Sequence, residues 1–202
     1  PLRRSPDDDD WDAHGPIAMS GEAPPTTGPL LGADPFDQAL AILAATPEVL
    51  PRLVASIVPE LADARPAPED WSPREILGHL RYVEGLLRDR ISRMAEGPGE
   101  EAMPPGPPSP EPGPVEETLA AWLAARRETL VWLRSLRPEQ LERAGIHRHY
   151  GRITVREHVI EWGYHDLEHL RQLAAAIEAA LYPAIGGWQA LYPPPYPSER
   201  RA

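Results

Sequence analysis

The sequence predicts an all-α protein, a four-helix bundle in which a long proline-rich connection joins the second and third helices. Four stretches of the 202-residue chain repeat apolar residues at helical spacing, and two of them begin with a capping box. Eight of the 27 prolines fall in residues 97–114, whereas residues 36–96 and 115–181 together hold only seven. One helical domain is therefore expected over residues 35–181.

The chain before this domain predicts no structure. Residues 1–34 combine a run of four aspartates with scattered glycine and proline and show no apolar period, which is typical of a disordered leader. The first helix is expected to start at Asp34 and Pro35, a helix cap followed by proline at the first helical position. Pro47 and Pro51 interrupt its apolar pattern, so we expect a break or a kink there.

The second helix opens with the clearest local signal in the chain. Ser72 is followed three residues later by Glu75, which is a capping box, with proline at the first helical position between them. The helix ends at Gly97. Residues 97–114 then form the proline-rich connection, in which the proline density excludes helix and strand.

The third and fourth helices follow this connection. The third is predicted from about Val115 to about Leu136, where Pro138 stops it. After a short loop, the fourth starts at a second capping box on Thr154 and runs to about Leu181. Residues 182–202 form a proline-rich and aromatic tail.

Composition excludes several classes of protein. The net charge of −11 argues against a nucleic-acid partner. No apolar run is long enough to span a membrane, and the first 30 residues have the wrong composition for a signal peptide, so we expect a cytoplasmic protein without a membrane partner. The chain has no cysteine, which excludes a thiolate metal ligand and a cysteine nucleophile.

The histidines indicate a metal site. His165 and His169 stand four residues apart in a predicted helix, so both project from one face, as in the zinc-protease helix motif. The glutamate of that motif is missing, because Asp166, Leu167 and Glu168 lie between them. A solvated or pH-sensitive helix face is the alternative interpretation of this pair.

His79 favours the metal site over this alternative. It lies on the apolar stripe of the second helix, where a buried imidazole needs a polar partner. A lone core histidine usually finds an ordinary hydrogen-bond partner, but here His165 and His169 point into the same core. Three histidines that converge in a bundle form a three-nitrogen site with open positions for water or substrate, and such a site suits Zn, Ni, Fe or Mn. A metal-bound water there has a pKa lowered to about 7.

Other polar residues near the pair are candidates for supporting roles. The carboxylates and the amide within two turns of it are able to accept a ring N–H of a ligand; these are Glu161, Asp166, Glu168 and Gln172. Solvent exposure is the preferred interpretation for Glu168. No catalytic residue is identified; Glu161 and His158 are the best candidates to line a pocket, and a structural role is the preferred interpretation for His158. His147 and His149 flank an arginine in a loop and are expected at the surface.

Two segments of the chain carry specific patterns. The pattern W-S-x-x-E-x-x-x-H-L runs from Trp71 to Leu80, and H-D-x-x-H-x-x-Q runs from His165 to Gln172 after the segment Y-G-R-I-T-V-R-E at 150–157. Together they resemble the DinB/YfiT-like family, and the resemblance spans roughly residues 36–181. It implies a DinB-like four-helix bundle that holds a divalent metal, most often Ni or Zn, through His79, His165 and His169, and that often forms a homodimer.

Two kinds of activity are expected of such a metal site. The chain is expected to be a metal-dependent enzyme, either a hydrolase in which a metal-bound water attacks an ester or amide-like bond, or, as the resemblance implies, a transferase that uses a low-molecular-weight thiol such as mycothiol or bacillithiol as cosubstrate. The alternatives are a non-catalytic metal-binding or stress-response protein that acts through dimerisation, and a bundle whose histidines bind no metal. The leader and the insertion at 97–114 depart from the simplest family members, so the substrate stays open.

Overall fold

Four long helices make up most of the described part of the chain. The computed structural model describes residues 34–68, 70–97, 102–103, 106 and 110–192. In chain order the elements are α1 (Pro35–Val54), a 3-10 turn (Pro59–Leu61), α2 (Pro73–Glu96), α3 (Val115–Leu133), α4 (Pro138–Leu141), β1 (Ala144–His147), β2 (Gly151–Thr154), α5 (Val155–Leu181) and a 3-10 segment (Tyr182–Ala190). The predicted four-helix bundle is confirmed, with α1, α2, α3 and α5 as its helices.

The helices form a closed ring in which α1 contacts α5 and α3, and α2 contacts α3 and α5. The helices α1 and α5 are parallel, because Asp34 at the start of α1 binds Arg156 at the start of α5. The end of α2 lies beside the chain that leads into α5, since the backbone oxygen of Ala95 accepts hydrogen bonds from Gln140 and Arg143. The helix α2 is therefore antiparallel to α5.

Two apolar clusters fill the ring and fix the direction of α3. Trp122, near the start of α3, packs with Ile76 near the start of α2, whereas Leu133, at the end of α3, packs with Met94 near the end of α2. The helices α2 and α3 are therefore parallel neighbours. Two parallel neighbours cannot be joined by a tight turn, so α2 and α3 require a long connection between them.

The described residues of this connection lie against α2. Ala102 forms an isolated parallel bridge with Ile146 of β1, near the end of α2. Gly106 packs so closely on Leu86 that a Cβ would lie 3.1 Å from the Cδ1 atom of that leucine. Pro112 packs on Gly78, near the start of α2. These described residues of the connection thus lie beside α2, from near its end to near its start.

The predicted helix starts are confirmed by their hydrogen bonds. The side chain of Asp34 accepts from the backbone N–H of Phe36 at 2.9 Å. Both capping boxes are complete: Ser72 with Glu75 opens α2, and Thr154 with Glu157 opens α5. A cap of this kind satisfies backbone donors that have no partner within the helix.

The expected break in α1 is wrong, since the helix continues through Pro47 and Pro51 to Val54. A proline inside a helix leaves the carbonyl four residues earlier without a donor. At Pro47 that carbonyl belongs to Leu43, and Arg126 of α3 donates to its oxygen at 3.2 Å. The bundle thus replaces the hydrogen bond that the proline removes.

The loop expected between the third and fourth helices is a β-hairpin. The strands β1 and β2 pair antiparallel from Ala144–Thr154 to His147–Gly151, and Gly151, the first residue of β2 after the turn, has a φ of 74°. His147 was expected at the surface but is buried: the ring of Tyr150 stacks on it at 4.7 Å, and its Nδ1 atom accepts hydrogen bonds from the backbone N–H groups of His149 and Tyr150. His149 is exposed, as expected.

The remaining boundaries differ in detail. The helix α3 ends at Leu133, three residues before the expected end, and Pro138 starts α4. The tail begins with the 3-10 segment, which leaves Trp188 67% exposed. Residues 1–33 of the expected leader and residues 193–202 of the tail lie outside the described residues. Among the helices of the described chain, none combines the length and apolar character that crossing a bilayer requires.

Candidate metal centre

Three histidines from two helices meet in the groove between α2 and α5. The Nε2 atom of His165 lies 3.1 Å from Nε2 of His79 and 3.0 Å from Nε2 of His169. One ring nitrogen of each residue lies within 4.8 Å of the other two. The antiparallel arrangement of α2 and α5 thus brings together the three histidines that the sequence singles out.

The separations of these nitrogens fit a shared divalent ion. Two imidazole nitrogens that bind one ion at about 2.0–2.1 Å lie about 2.9–3.4 Å apart for the usual coordination angles. The two printed Nε2 separations, 3.1 and 3.0 Å, fall in this range. Within the described chain, no Asp or Glu joins the three histidines in the group. The donor set is therefore three imidazole nitrogens, which suits a divalent transition-metal ion such as Zn, Cu, Fe or Ni.

Gln172 fixes the ring of His169. The Nδ1 atom of His169 lies 2.9 Å from Oε1 of Gln172, one turn further along α5. An amide oxygen only accepts hydrogen bonds, so Nδ1 carries the proton and donates it to Gln172. The Nε2 lone pair of His169 then points at the other two histidines, ready for a metal ion. Of the four supporting residues that the sequence proposes, Gln172 is the one that contacts a ligand ring in this way.

His165 is held in its neutral form. Its side chain is buried, and burial lowers the pKa of His165 well below its ordinary value. The nearby His169, His79 and Arg126 lower this pKa further. Neutral imidazole is the form that binds metal ions, so the surroundings of His165 favour the ligand state.

Trp71 forms an aromatic wall beside the histidines. Its ring centroid lies 4.6 Å from that of His79, and it stacks on His169 at 5.9 Å with an interplanar angle of 11°. Trp71 comes directly before Ser72, the cap of α2, so the capping box sets its position. The sequence carries no separate indication of this role, because Trp71 appears there only as the first residue of the family pattern at 71–80.

A buried group of charges lies next to His165, and sequence reasoning missed it. Arg126 of α3 binds both Glu84 of α2 and Asp166 of α5, and all three side chains are at most 1% exposed. The signal available in the sequence was an arginine on the apolar stripe of the third helix. Asp166 therefore binds an arginine, and the ring N–H of a ligand is left to other acceptors.

His158 and Glu161, the candidates to line a pocket, do not join the three histidines. His158 is buried, and its Nδ1 atom lies 3.5 Å from Oε2 of Glu161, whose side chain is 41% exposed. Glu168, for which solvent exposure was expected, has a side chain that is 34% exposed and binds Arg171. The site thus separates into a histidine group and a His158–Glu161 pair on the same helix.

Known proteins share the sequence pattern and the fold of this chain. Residues 42–173 match the sequence model of the DinB superfamily. YfiT from Bacillus subtilis superposes with a TM-score of 0.61 at 17% identity, over 70% of this chain and 85% of that chain, and is described as a probable metal-dependent hydrolase with an unusual four-helix bundle topology.

Two further structures share the fold. The four-helix bundle protein TT2238 gives a TM-score of 0.55 at 22% identity, over 69% of this chain and 98% of that chain. The DinB-like protein YjoA from Bacillus subtilis gives 0.52 at 18% identity, over 72% and 92%. No curated protein sequence matches the chain.

Proposed function

The chain belongs to the DinB superfamily, and on that premise we propose that it is a metal-dependent hydrolase whose ion is held by His79, His165 and His169. The observation that carries this proposal is the convergence of three Nε2 atoms from two helices. YfiT, which shares the fold, is described as a probable metal-dependent hydrolase, and this supports the assignment.

Three protein ligands leave coordination positions for water and substrate, which distinguishes catalytic from closed structural sites. When bound, a divalent ion at this place supplies Lewis-acid activation of water and of a carbonyl or phosphoryl oxygen. The chain itself prepares the site: Gln172 holds the proton of His169 at Nδ1, and burial keeps His165 neutral. Ni and Zn are the ions that we propose for this donor set.

Trp71 limits access to the histidines from one side. Its indole ring covers His79 and stacks on His169, so water reaches this side of the site less easily. A flat aromatic wall also gives an apolar part of a substrate a surface to pack on. We assign to Trp71 the role of positioning the substrate.

Glu161 is the proposed proton acceptor. It lies one turn before His165 on α5, and its side chain is 41% exposed, with Oε2 buried beside His158. A carboxylate in this position is able to remove a proton from the attacking water. This role makes Glu161→Gln a test of the chemistry that leaves all three histidines intact.

The first test is metal content. The purified full-length protein is loaded with Zn²⁺ or Ni²⁺ and freed of excess ion by gel filtration. Its metal content per chain is then measured by inductively coupled plasma mass spectrometry. We expect one ion per chain, lost in His79→Ala, His165→Ala and His169→Ala. His149→Ala is the matched control, because His149 is an exposed histidine. Full metal content in any of the three variants contradicts the site.

The second test is turnover. The loaded protein is screened with ester, amide and phosphoester substrates, in parallel with chelator-treated protein, the free ion and the Glu161→Gln variant. We expect hydrolysis that requires the bound ion and falls in Glu161→Gln. Metal binding without turnover identifies a non-catalytic protein instead, and transfer of a low-molecular-weight thiol to an electrophile identifies a transferase; either result contradicts the hydrolase proposal.

A further inference from the structure

Arg90 of α2 is a buried charge for which the described chain provides no partner. Its side chain is 4% exposed, and neither Nε nor Nη1 has a hydrogen-bond partner. A guanidinium stays protonated in a protein, and burying it unpaired is costly. The other deeply buried arginine, Arg126, shows the usual solution, with two carboxylates and a backbone oxygen around it. Arg90 lacks all of these, which points to an anion from outside the chain.

The helical repeat places Arg90 on the face of α2 that carries His79. The two residues are eleven positions apart. At 3.6 residues per turn they differ by only about 20° around the axis, and they are about 16 Å apart along it. Arg90 therefore faces the groove between α2 and α5, about three turns from the histidines towards the end of α2.

His158 occupies the corresponding place on α5. It precedes His165 by seven positions and His169 by eleven, so it shares their face. Because α2 and α5 are antiparallel and the histidines meet at one level, Arg90 and His158 come to the same level of the groove. The Nε2 atom of His158 is buried without a hydrogen-bond partner, while Glu161 lies beside Nδ1. A second buried polar atom thus lacks a partner at this level.

Two described residues of the connection, Met103 and Gly106, lie near this part of α2. Gly106 packs on Leu86, one turn before Arg90. Met103 and Met94, which stands one turn after Arg90, both pack against Gly145 of β1. Arg90 therefore lies between two points at which the connection touches α2 or the adjacent hairpin, which removes it from water and strengthens any ion pair that it forms.

We propose that Arg90 and His158 form a binding site for an oxyanion, the carboxylate or phosphate of an elongated substrate whose reacting group lies at the three histidines. The guanidinium provides a planar set of donors for two oxygens of such a group. The identification of the occupant as substrate rests on the proposed function, whereas the anion site is independent of any bound metal.

The test uses the metal-free full-length protein. Sodium phosphate and, separately, sodium acetate are titrated calorimetrically at constant ionic strength. We expect one site per chain in the wild type. In Arg90→Met the affinity should fall by at least about tenfold, because a charge-assisted pair is lost. Arg81→Met, at an exposed arginine of the same helix, is the matched control and should bind as the wild type does. The anion that binds more tightly shows whether the site prefers a phosphate or a carboxylate group.

Thermal unfolding separates a ligand site from a structural arginine. Without added anion, Arg90→Met should unfold at a higher temperature than the wild type, because an unpaired buried charge is gone. The anion should then raise the unfolding temperature of the wild type and leave that of Arg90→Met unchanged. His158→Leu should also weaken anion binding, and it provides a second variant if Arg90→Met does not fold.

The outcomes are distinct from those of the metal tests. His165→Ala should bind phosphate as the wild type does, whether or not the metal assignment holds. The anion site is overturned if neither anion binds the wild type, if Arg90→Met binds with wild-type affinity, or if Arg90→Met is less stable than the wild type in the absence of anion.

Discussion

Arg126 holds Asp166 through two hydrogen bonds, from Nη1 to Oδ2 at 2.5 Å and from Nη2 to Oδ1 at 3.1 Å. Asp166 follows His165 directly on α5, and the Nε atom of Arg126 also donates to Glu84 of α2 at 2.8 Å. One guanidinium therefore ties together the two helices that carry the three histidines. It also lies over the rings of Trp122 and Trp162, which seal it from water.

Replacement of this arginine should cost much of the stability of the protein. We expect Arg126→Met to lower the free energy of unfolding by about 3–5 kcal/mol, because Glu84 and Asp166 are left buried without a positive partner. Urea unfolding measures the difference. Arg127→Met, at the exposed neighbouring position, should change stability by less than about 0.5 kcal/mol. A similar small change in Arg126→Met would show that the buried ion group contributes nothing.

The hydrogen bond between Gln172 and His169 should set metal affinity. In Gln172→Leu, the ring of His169 loses the acceptor that fixes its orientation and its protonated nitrogen, so affinity should fall by about 10–100-fold. Competition with a chromophoric chelator measures this change. Gln38→Leu, at an exposed glutamine of α1, should keep wild-type affinity. Equal affinities in the two variants would remove Gln172 from the site.

Metal removal should lower stability by mass action. An ion that binds only the folded chain stabilises it by about 2.7 kcal/mol when its free concentration is a hundred times its dissociation constant. We expect this gain in the wild type, and its loss when a chelator is added. His79→Ala should show no such gain, because the helix α2 then supplies no ligand. Calorimetric unfolding with and without ion makes the comparison, and an equal gain in His79→Ala would place the ion elsewhere.

Asp34 should make a pH-dependent contribution to stability. The N–H of Phe36, together with Arg156, lowers the pKa of Asp34 below its ordinary value. Because the folded pKa is the lower one, this contribution is complete above the ordinary pKa and disappears as the pH falls through the folded value. The variant Asp34→Asn keeps an oxygen for the Phe36 N–H and loses the charge. Its unfolding temperature should lie below that of the wild type at pH 6 and approach it at pH 3; an unchanged difference would contradict this.

Local patterns were sufficient to predict the helices and the histidines. The capping boxes at Ser72 and Thr154 mark the starts of α2 and α5 because a cap uses only residues within one turn. The spacing of His165 and His169 fixes their common face for the same reason. These parts of the fold depend on neighbours in sequence, and they were predicted correctly.

Contacts between distant residues account for what was missed. The carbonyl that Pro47 leaves free receives Arg126 from another helix, so the proline alone could not show that α1 continues. Arg126 is stable in the core because it binds Glu84 and Asp166, which lie 42 and 40 residues away in the sequence on two other helices. The hairpin of β1 and β2 has strands of four residues, too short for a clear alternation, and its turn is held by a buried His147.

The order of the three histidines along the chain has a consequence for how the protein matures. His79 is made early, whereas His165 and His169 belong to α5, the last long helix of the described chain. During synthesis, a nascent chain therefore holds only one of the three site histidines until α5 has left the ribosome and docked against α2. The three histidines meet only in chains that have completed the bundle, so an ion that requires all three would bind finished molecules and not truncated ones.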